Sequence, residues 1–172
     1  MATSVTVSNI ISGIFEFSIG STNVGTLDGA VTTKRNATLV NLACEQSVGK
    51  IGSFESEVDY VVHVECEEAP LDLIRIAWNQ PAGSLSSNDS LSLEHTPGKE
   101  LGNVVLTFIG PATGTSKKRT AVFDKAYSMG AAEISQSRGA PTKVVMEFLC
   151  HGTVDTSTPP KTTWGAWKDA AY

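Results

Sequence analysis

The sequence predicts a mainly β protein, an antiparallel β-sandwich or barrel with one flanking α-helix near residues 69–79. Three observations predict this. Apolar and polar residues alternate through most of the 172-residue chain, and a period of two sends successive side chains to opposite faces of a sheet. Gly-, Pro-, Ser- and Asn-containing breaks punctuate these runs, as strand-to-strand turns require. Only one stretch has helical spacing.

Taken in order, residues 14–19 alternate, with Phe15, Phe17 and Ile19 on one face and Glu16 and Ser18 on the other. Residues 27–34 and 37–45 read as two strands parted by Arg35 and Asn36, and 46–53, with two glycines, reads as a long hairpin loop. The clearest pattern spans 54–66. Phe54, Ser56, Val58, Tyr60, Val62, Val64 and Cys66 share one face; Glu55, Glu57, Asp59, Val61, His63 and Glu65 share the other. One side packs and the other stays wet. The helix follows, with Pro70 at its start, Glu67, Glu68 and Asp72 at its positive dipole end, and Leu73, Ile76 and Ala77 as its apolar stripe. Pro81 and Gly83 end it, and 82–100 is an irregular connection that includes a short strand at 91–94. Strands resume at 103–109, 120–127, 131–137 and 143–150, and a Thr/Pro-rich run leads to the closing WGAWKDAAY. This divides the chain into an N-terminal arm (1–12), a β domain (13–154) and a C-terminal arm (155–172).

A net charge of −5 and 18% charged residues argue against a phosphate-neutralising nucleic-acid surface, which needs clustered Lys and Arg. Lys117-Lys118-Arg119 is the one basic cluster and reads as a solvated hairpin tip. Cys44, Cys66 and Cys150 are odd in number and lack CxxC spacing, so they read as small buried hydrophobes in a reducing compartment. No apolar run approaches the roughly 20 residues of a membrane span, and no signal peptide is visible at the N-terminus. The expected location is a cytoplasm or an assembly built there, and the two glycosylation sequons at Asn36 and Asn88 are then accidental.

Catalytic chemistry has no recognisable spacing here: there is no G-x-S-x-G, HExxH, P-loop or GxGxxG. The run 110–117 superficially suggests a phosphate loop, but it lacks the Gly-Lys-Ser/Thr ending and leads into a strand. His63 lies among carboxylates, while His95 and His151 are scattered. The expectation is a protein that is not an enzyme and needs no cofactor or metal. The acidic face at 54–66 reads either as an ordinary solvated face or as the lining of a wet space that repels anions, and periodicity does not separate the two. Trp164, Trp167 and Tyr172 are costly to leave exposed. They either fold back or dock on another copy, and the polar linker favours docking.

The order of features resembles the tail tube (major tail) proteins of tailed bacteriophages, a family with relatives in contractile-injection and type VI secretion tubes. The resemblance rests on ATLVNLACEQSVGKIGSFESEVDYVVHVECEEAPLDLIRIAW, then NVVLTFIG, KRTAVFDKAY, AAEISQS and KVVMEFLC, and a Trp-containing C-terminal arm. It covers nearly the whole chain as a layout, without one invariant motif. It implies rings of six copies that stack into a tube inside the virion tail, assembled in the bacterial cytoplasm. It implies contacts with a tape measure, a terminator, a distal tail protein and, in a contractile tail, a sheath. DNA would pass through without sticking, and no membrane insertion is implied. Glu55, Glu57, Asp59, His63 and Glu65 become the lumen candidates; six copies would set roughly thirty such groups around a channel a few Debye lengths wide. Gln46, Ser47, Val48, Gly49, Lys50, Ile51 and Gly52 become the ring-stacking loop. Lys117, Lys118, Arg119, Trp164, Trp167 and Tyr172 become inter-subunit candidates. Two further readings stay open: a secretion-system inner tube, and a β-sandwich carbohydrate- or ligand-binding module that uses Trp164 and Trp167 as a stacking platform.

Overall fold

The computed structural model describes residues 15–27, 31–43, 50–67, 70–86, 90–95, 97–98, 101–110, 117–130, 132–136, 138–139, 142–156 and 161–171. The candidate N-terminal arm lies outside them. The described chain is mainly β, with one α-helix, and its strands are β1 Phe15–Ile19, β2 Thr22–Leu27, β3 Thr32–Ala43, β4 Lys50–Cys66, β5 Leu85–Ser86, β6 Ser90–Leu91, β7 Val104–Gly110, β8 Lys117–Ser128, β9 Glu133–Ser135, β10 Lys143–Cys150, β11 Thr153–Asp155, β12 Lys161–Thr163 and β13 Gly165–Ala171. The helix α1 spans Leu71–Ala77 and a 3-10 turn spans Ala82–Ser84.

Nine strands form one antiparallel sheet in the order β2-β1-β7-β8-β10-β4-β3, with β13 added to β8 and β9 to β10. One edge of β8 carries β7, while the other edge is shared, with β13 along Lys117–Phe123 and β10 along Ala126–Ser128. The sheet curls strongly, because β2 touches β4 although four strands separate them in the order. Among the described residues no ladder joins those two strands, so the sheet curls without closing.

The curl encloses one core. Phe17 and Ile19, Val62 and Val64, Leu106 and Phe108, Phe123, and Val144, Met146 and Phe148 all point inward and are buried. Each set is spaced two apart, so alternation alone chose which face went in. Phe17 and Phe108 stack with ring centroids 4.6 Å apart, and Phe108 meets Phe123 edge-on at 6.5 Å. The helix adds Leu73, Ile76 and Ala77, the stripe expected from its spacing.

Polar atoms tie the helix down. Asp72 in its first turn accepts from Thr22 Oγ1 at 3.1 Å and from Arg75 Nε at 2.8 Å. At the other end Asn79 adopts φ 54°, a left-handed conformation that Asn tolerates, and its Nδ2 donates to the Ser128 carbonyl at 2.9 Å. The buried Ser128 hydroxyl donates to the Ala77 carbonyl at 2.5 Å and accepts from Gly130 N at 3.2 Å. Trp78 Nε1 donates to the Ala132 carbonyl at 3.1 Å. The helix is shorter than expected at both ends because Pro70 is still extended and the chain reverses at Asn79.

Several strand boundaries also differ from the sequence reading: β4 starts earlier, at Lys50, the short strand expected at 91–94 is Ser90–Leu91, and that expected at 131–137 is Glu133–Ser135. A strand at 22–27 replaces the start of the strand expected at 27–34. Arg35 and Asn36 do not break β3, which runs unbroken through them. The C-terminal residues expected to form a polar arm instead form β11, β12 and β13.

Ser128→Ala leaves the Ala77 carbonyl and the Gly130 N–H without their partner, so the expected cost is about 1–3 kcal/mol, read from the shift in urea midpoint. Cys150 is fully buried, and burial pushes its thiol up from 9.0 to about 12. The neutral thiol is the form that the fold favours, so its contribution is complete below pH 9 and is lost as pH climbs toward about 12. Over that interval the melting temperature of the wild type should fall more steeply than that of Cys150→Ala.

Candidate functional site

The distinctive feature of the molecule is the far half of the β3–β4 hairpin. β10 pairs with β4 only from Tyr60 to Cys66. From Asn36↔Asp59 out to Ala43↔Lys50 the two strands have, among the described residues, only each other, a ribbon of roughly 25 Å at about 3.3 Å per residue. Most of its described side chains are solvent-exposed, and on both faces, with Leu39 at 60%, Val40 at 38%, Leu42 at 53% and Phe54 at 48%. Two-stranded ribbons are marginal in water without a third layer, and four exposed apolar side chains make this one more so.

The register corrects the face assigned to two residues. Between Thr38↔Glu57 and Leu39↔Glu55 the ladder slips by one, with Ser56 as the extra residue. A bulge of this kind reverses which side chains share a face beyond it. Glu55 therefore leaves the His63 face and pairs with Arg35 on the Tyr60 face. That hydrogen bond to Glu55 raises the Arg35 guanidinium further above its ordinary value. Phe54 moves the opposite way, onto the face of Glu57 and Asp59 beside Val40. Strict alternation misses this because nothing in the sequence marks Ser56 as unpaired.

Four of the five lumen candidates remain together: Glu57, Asp59, His63 and Glu65 share one face of β4. Glu147 on β10 joins them, since it sits opposite His63 in the register. His63 lies between two carboxylates, with Nδ1 3.4 Å from Glu147 and Nε2 3.4 Å from Glu65. Sequence reasoning missed Glu147, whose signal was its place on the polar side of an alternating strand; the register that brings it to His63 was not legible. Lys34 faces Val61 from β3, so the stripe is predominantly acidic and not uniformly so. Among the described residues no group of three or more His, Cys, Asp or Glu could hold a metal ion.

Of the stacking-loop candidates, Lys50, Ile51 and Gly52 are in β4, whose pairing with β3 reaches further than the predicted loop allowed. Gln46, Ser47, Val48 and Gly49 lie outside the described residues. Lys117, Lys118 and Arg119 open β8, in register with Ala171, Ala170 and Asp169 of β13, so they belong to a paired strand and not to a hairpin tip. Tyr172 lies outside the described residues.

The C-terminal tryptophans separate. The preference for docking Trp164 on another copy is corrected: it packs against the core of its own chain, 5.5 Å from the Tyr60 ring. Gly165 permits this, with φ 148°, and a Cβ there would overlap the Val122 backbone. The Trp164 carbonyl accepts from Asp124 N at 3.2 Å, and β13 then runs along β8. Trp167 remains 60% exposed.

Gly165→Ala should detach this strand, at a cost of about 3 kcal/mol or more. Limited proteolysis should then remove the C-terminal segment at protease levels that leave the wild type intact.

Compared with known proteins, the chain matches no family model, and no curated protein is significantly similar to it.

Proposed function

We propose that this chain is a self-assembling structural subunit of the tail-tube kind, in which curled sheets of about six copies complete one another in rings that stack into a hollow tube. The observation that carries the reading is the unsupported β3–β4 ribbon with apolar side chains exposed on both faces. Covering the exposed halves of Leu39, Val40, Leu42 and Phe54 would stabilise by about 1 kcal/mol each. In a lone molecule nothing among the described residues provides that cover. The edge of β3, which pairs with no strand but β4 among the described residues, adds a second reason, since an open edge is a template for another strand. On this reading each subunit is a sandwich or barrel whose missing closure comes from its neighbours.

The second support is electrostatic. Glu57, Asp59, Glu65 and Glu147 line one sheet face with His63 among them. Repeated around a ring, that face would present a repulsive wall to phosphates and let DNA slide through the bore. Contacts with a tape measure, a terminator, a distal tail protein and a sheath would lie at the tube's ends and outer surface. A secretion-system inner tube would use the same ribbon and face. The carbohydrate-module reading loses ground, because Trp164 is half-buried beside Tyr60 and cannot form a platform with Trp167.

Negative-stain microscopy of concentrated protein should reveal rings or hollow tubes. A preparation that stays monodisperse and monomeric in the hundreds of micromolar would refute the reading. Glu57→Lys with Glu65→Lys should still assemble, while DNA release through the resulting tails slows; unchanged release would remove the electrostatic part.

A further inference from the structure

A half-open cavity of about 790 Å³ is lined by neither the ribbon nor the acidic face of β4. It lies between the turn at 20–22 that joins β1 to β2, the last turn of α1 with the residues after it, and the connection that leads into β7. Its volume falls within the roughly 300–1,000 Å³ of small-molecule sites. Ile19, Ile76, Trp78, Leu101 and Val104 supply apolar lining, and Arg75, Asn79, Glu94, His95 and Asn103 supply polar lining. Three hydrogen bonds fix these walls. Trp78 Nε1 donates to the Ala132 carbonyl at 3.1 Å. The Gln80 side chain ties the helix end to the connection, its Oε1 accepting from Glu94 N at 2.7 Å and its Nε2 donating to the Trp78 carbonyl at 3.1 Å. Walls set before a ligand arrives lose little freedom when it does.

We propose that this cavity binds a neutral sugar. Charge makes the first selection. Arg75 donates from Nε to Asp72 and from Nη1 to the Gln80 carbonyl, so it offers the cavity N–H donors and not a free positive charge. An anion would therefore lack an unpaired arginine or lysine among the described lining, and it would also meet Glu94. A cation would have Glu94 alone, an exposed carboxylate whose pull solvent and salt weaken. Hydrogen-bonding capacity makes the second selection. Among the described residues Arg75 Nη2 has no partner. Asn79 Nδ2 donates to the Ser128 carbonyl, which leaves its Oδ1 as an acceptor, and the exposed Asn103 amide is both donor and acceptor. An apolar ligand would strip water from these groups and return nothing. A sugar ring matches the set, because its hydroxyls give and accept hydrogen bonds while its C–H faces pack on apolar lining such as Leu101 and Val104. The site differs in place and in residues from a platform of Trp164 and Trp167, and it does not depend on self-assembly.

The test is saturation-transfer difference NMR on the full chain with glucose, galactose and mannose, a method that reads binding to monomer and assembly alike. At least one of the three should bind saturably, with a Kd of about 0.1–10 mM. The uronate of that sugar should bind at least about tenfold more weakly, and its 2-amino form no more tightly. Glu94→Ala, which keeps the backbone N–H that Gln80 accepts from, and Asn103→Ala both alter exposed side chains. Each should weaken binding by about fivefold with native circular dichroism retained, whereas Trp167→Ala should leave it within about twofold. Three outcomes would each overturn the proposal: no saturable signal from any of the three sugars, a uronate that binds as tightly as its neutral parent, or binding that Trp167→Ala abolishes and the two cavity variants do not weaken. None of these results bears on whether the chain assembles, so the two readings stand or fall separately.

Discussion

The rest of the structure depends on how β4 divides its length between two environments. Its C-terminal part, Tyr60–Cys66, is flanked by β3 and β10 and contributes Val62, Val64 and Cys66 to the core. Its N-terminal part has one neighbouring strand, and none of its side chains joins the core, among the described residues. Backbone hydrogen bonds with β3 hold the outer part in line, while burial of the inner part fixes where the ribbon starts. Register is strongly specified only where one face is buried. Both slips of the β3–β4 ladder occur in the unburied part, where an extra residue costs little packing. The bulge at Ser56 therefore shifts side chains between faces in a region that the core does not police.

This division explains what could be read from the amino-acid order. The strand at 143–150 was legible to its ends because alternation there is enforced by a buried face: Val144, Met146, Phe148 and Cys150 against Lys143, Val145, Glu147 and Leu149. The helix stripe was legible for the same reason. Glu55 and Phe54 were misplaced because a bulge has no compositional mark when glycine is not needed for it. The sequence reading divides β3 at Arg35-Asn36, two adjacent polar residues of which Asn is a poor strand former; in place, Arg35 bonds Glu55 and sits across from Tyr60. Glu147 beside His63 is a matter of register between residues 84 positions apart, which no local pattern encodes.

The C-terminal segment shows how tertiary contacts override composition. Its linker is polar, yet Trp164 supplies a large apolar ring that is half-buried against Tyr60, and Gly165 lets the backbone pass against Val122. A second glycine, Gly152, makes room for Thr162 and Trp164, which a Cβ there would overlap. Without these two small residues the tryptophan could not reach its seat. The polar residues then need only to bridge, and β11 with β12 performs the bridging as a short two-stranded pair.

Tyr60 joins these threads. It lies on β4 where the ribbon leaves the body, with Trp164 at 5.5 Å and Phe123 at 6.4 Å, and Arg35 opposite it in register. The aromatic cluster thus clamps the ribbon's root from the core side, while Arg35 and Glu55 brace the same face one step further out. An exposed ion pair of this kind contributes little by itself, so the aromatic contacts of Tyr60 are the main anchor at the ribbon's root. A projecting element is useful for assembly only if its direction is set before contact, because each degree of freedom lost on docking weakens the association. On the proposed self-assembly reading, the C-terminal segment, expected to reach outward but paired along β8 in this structure, would be the support that aims the ribbon.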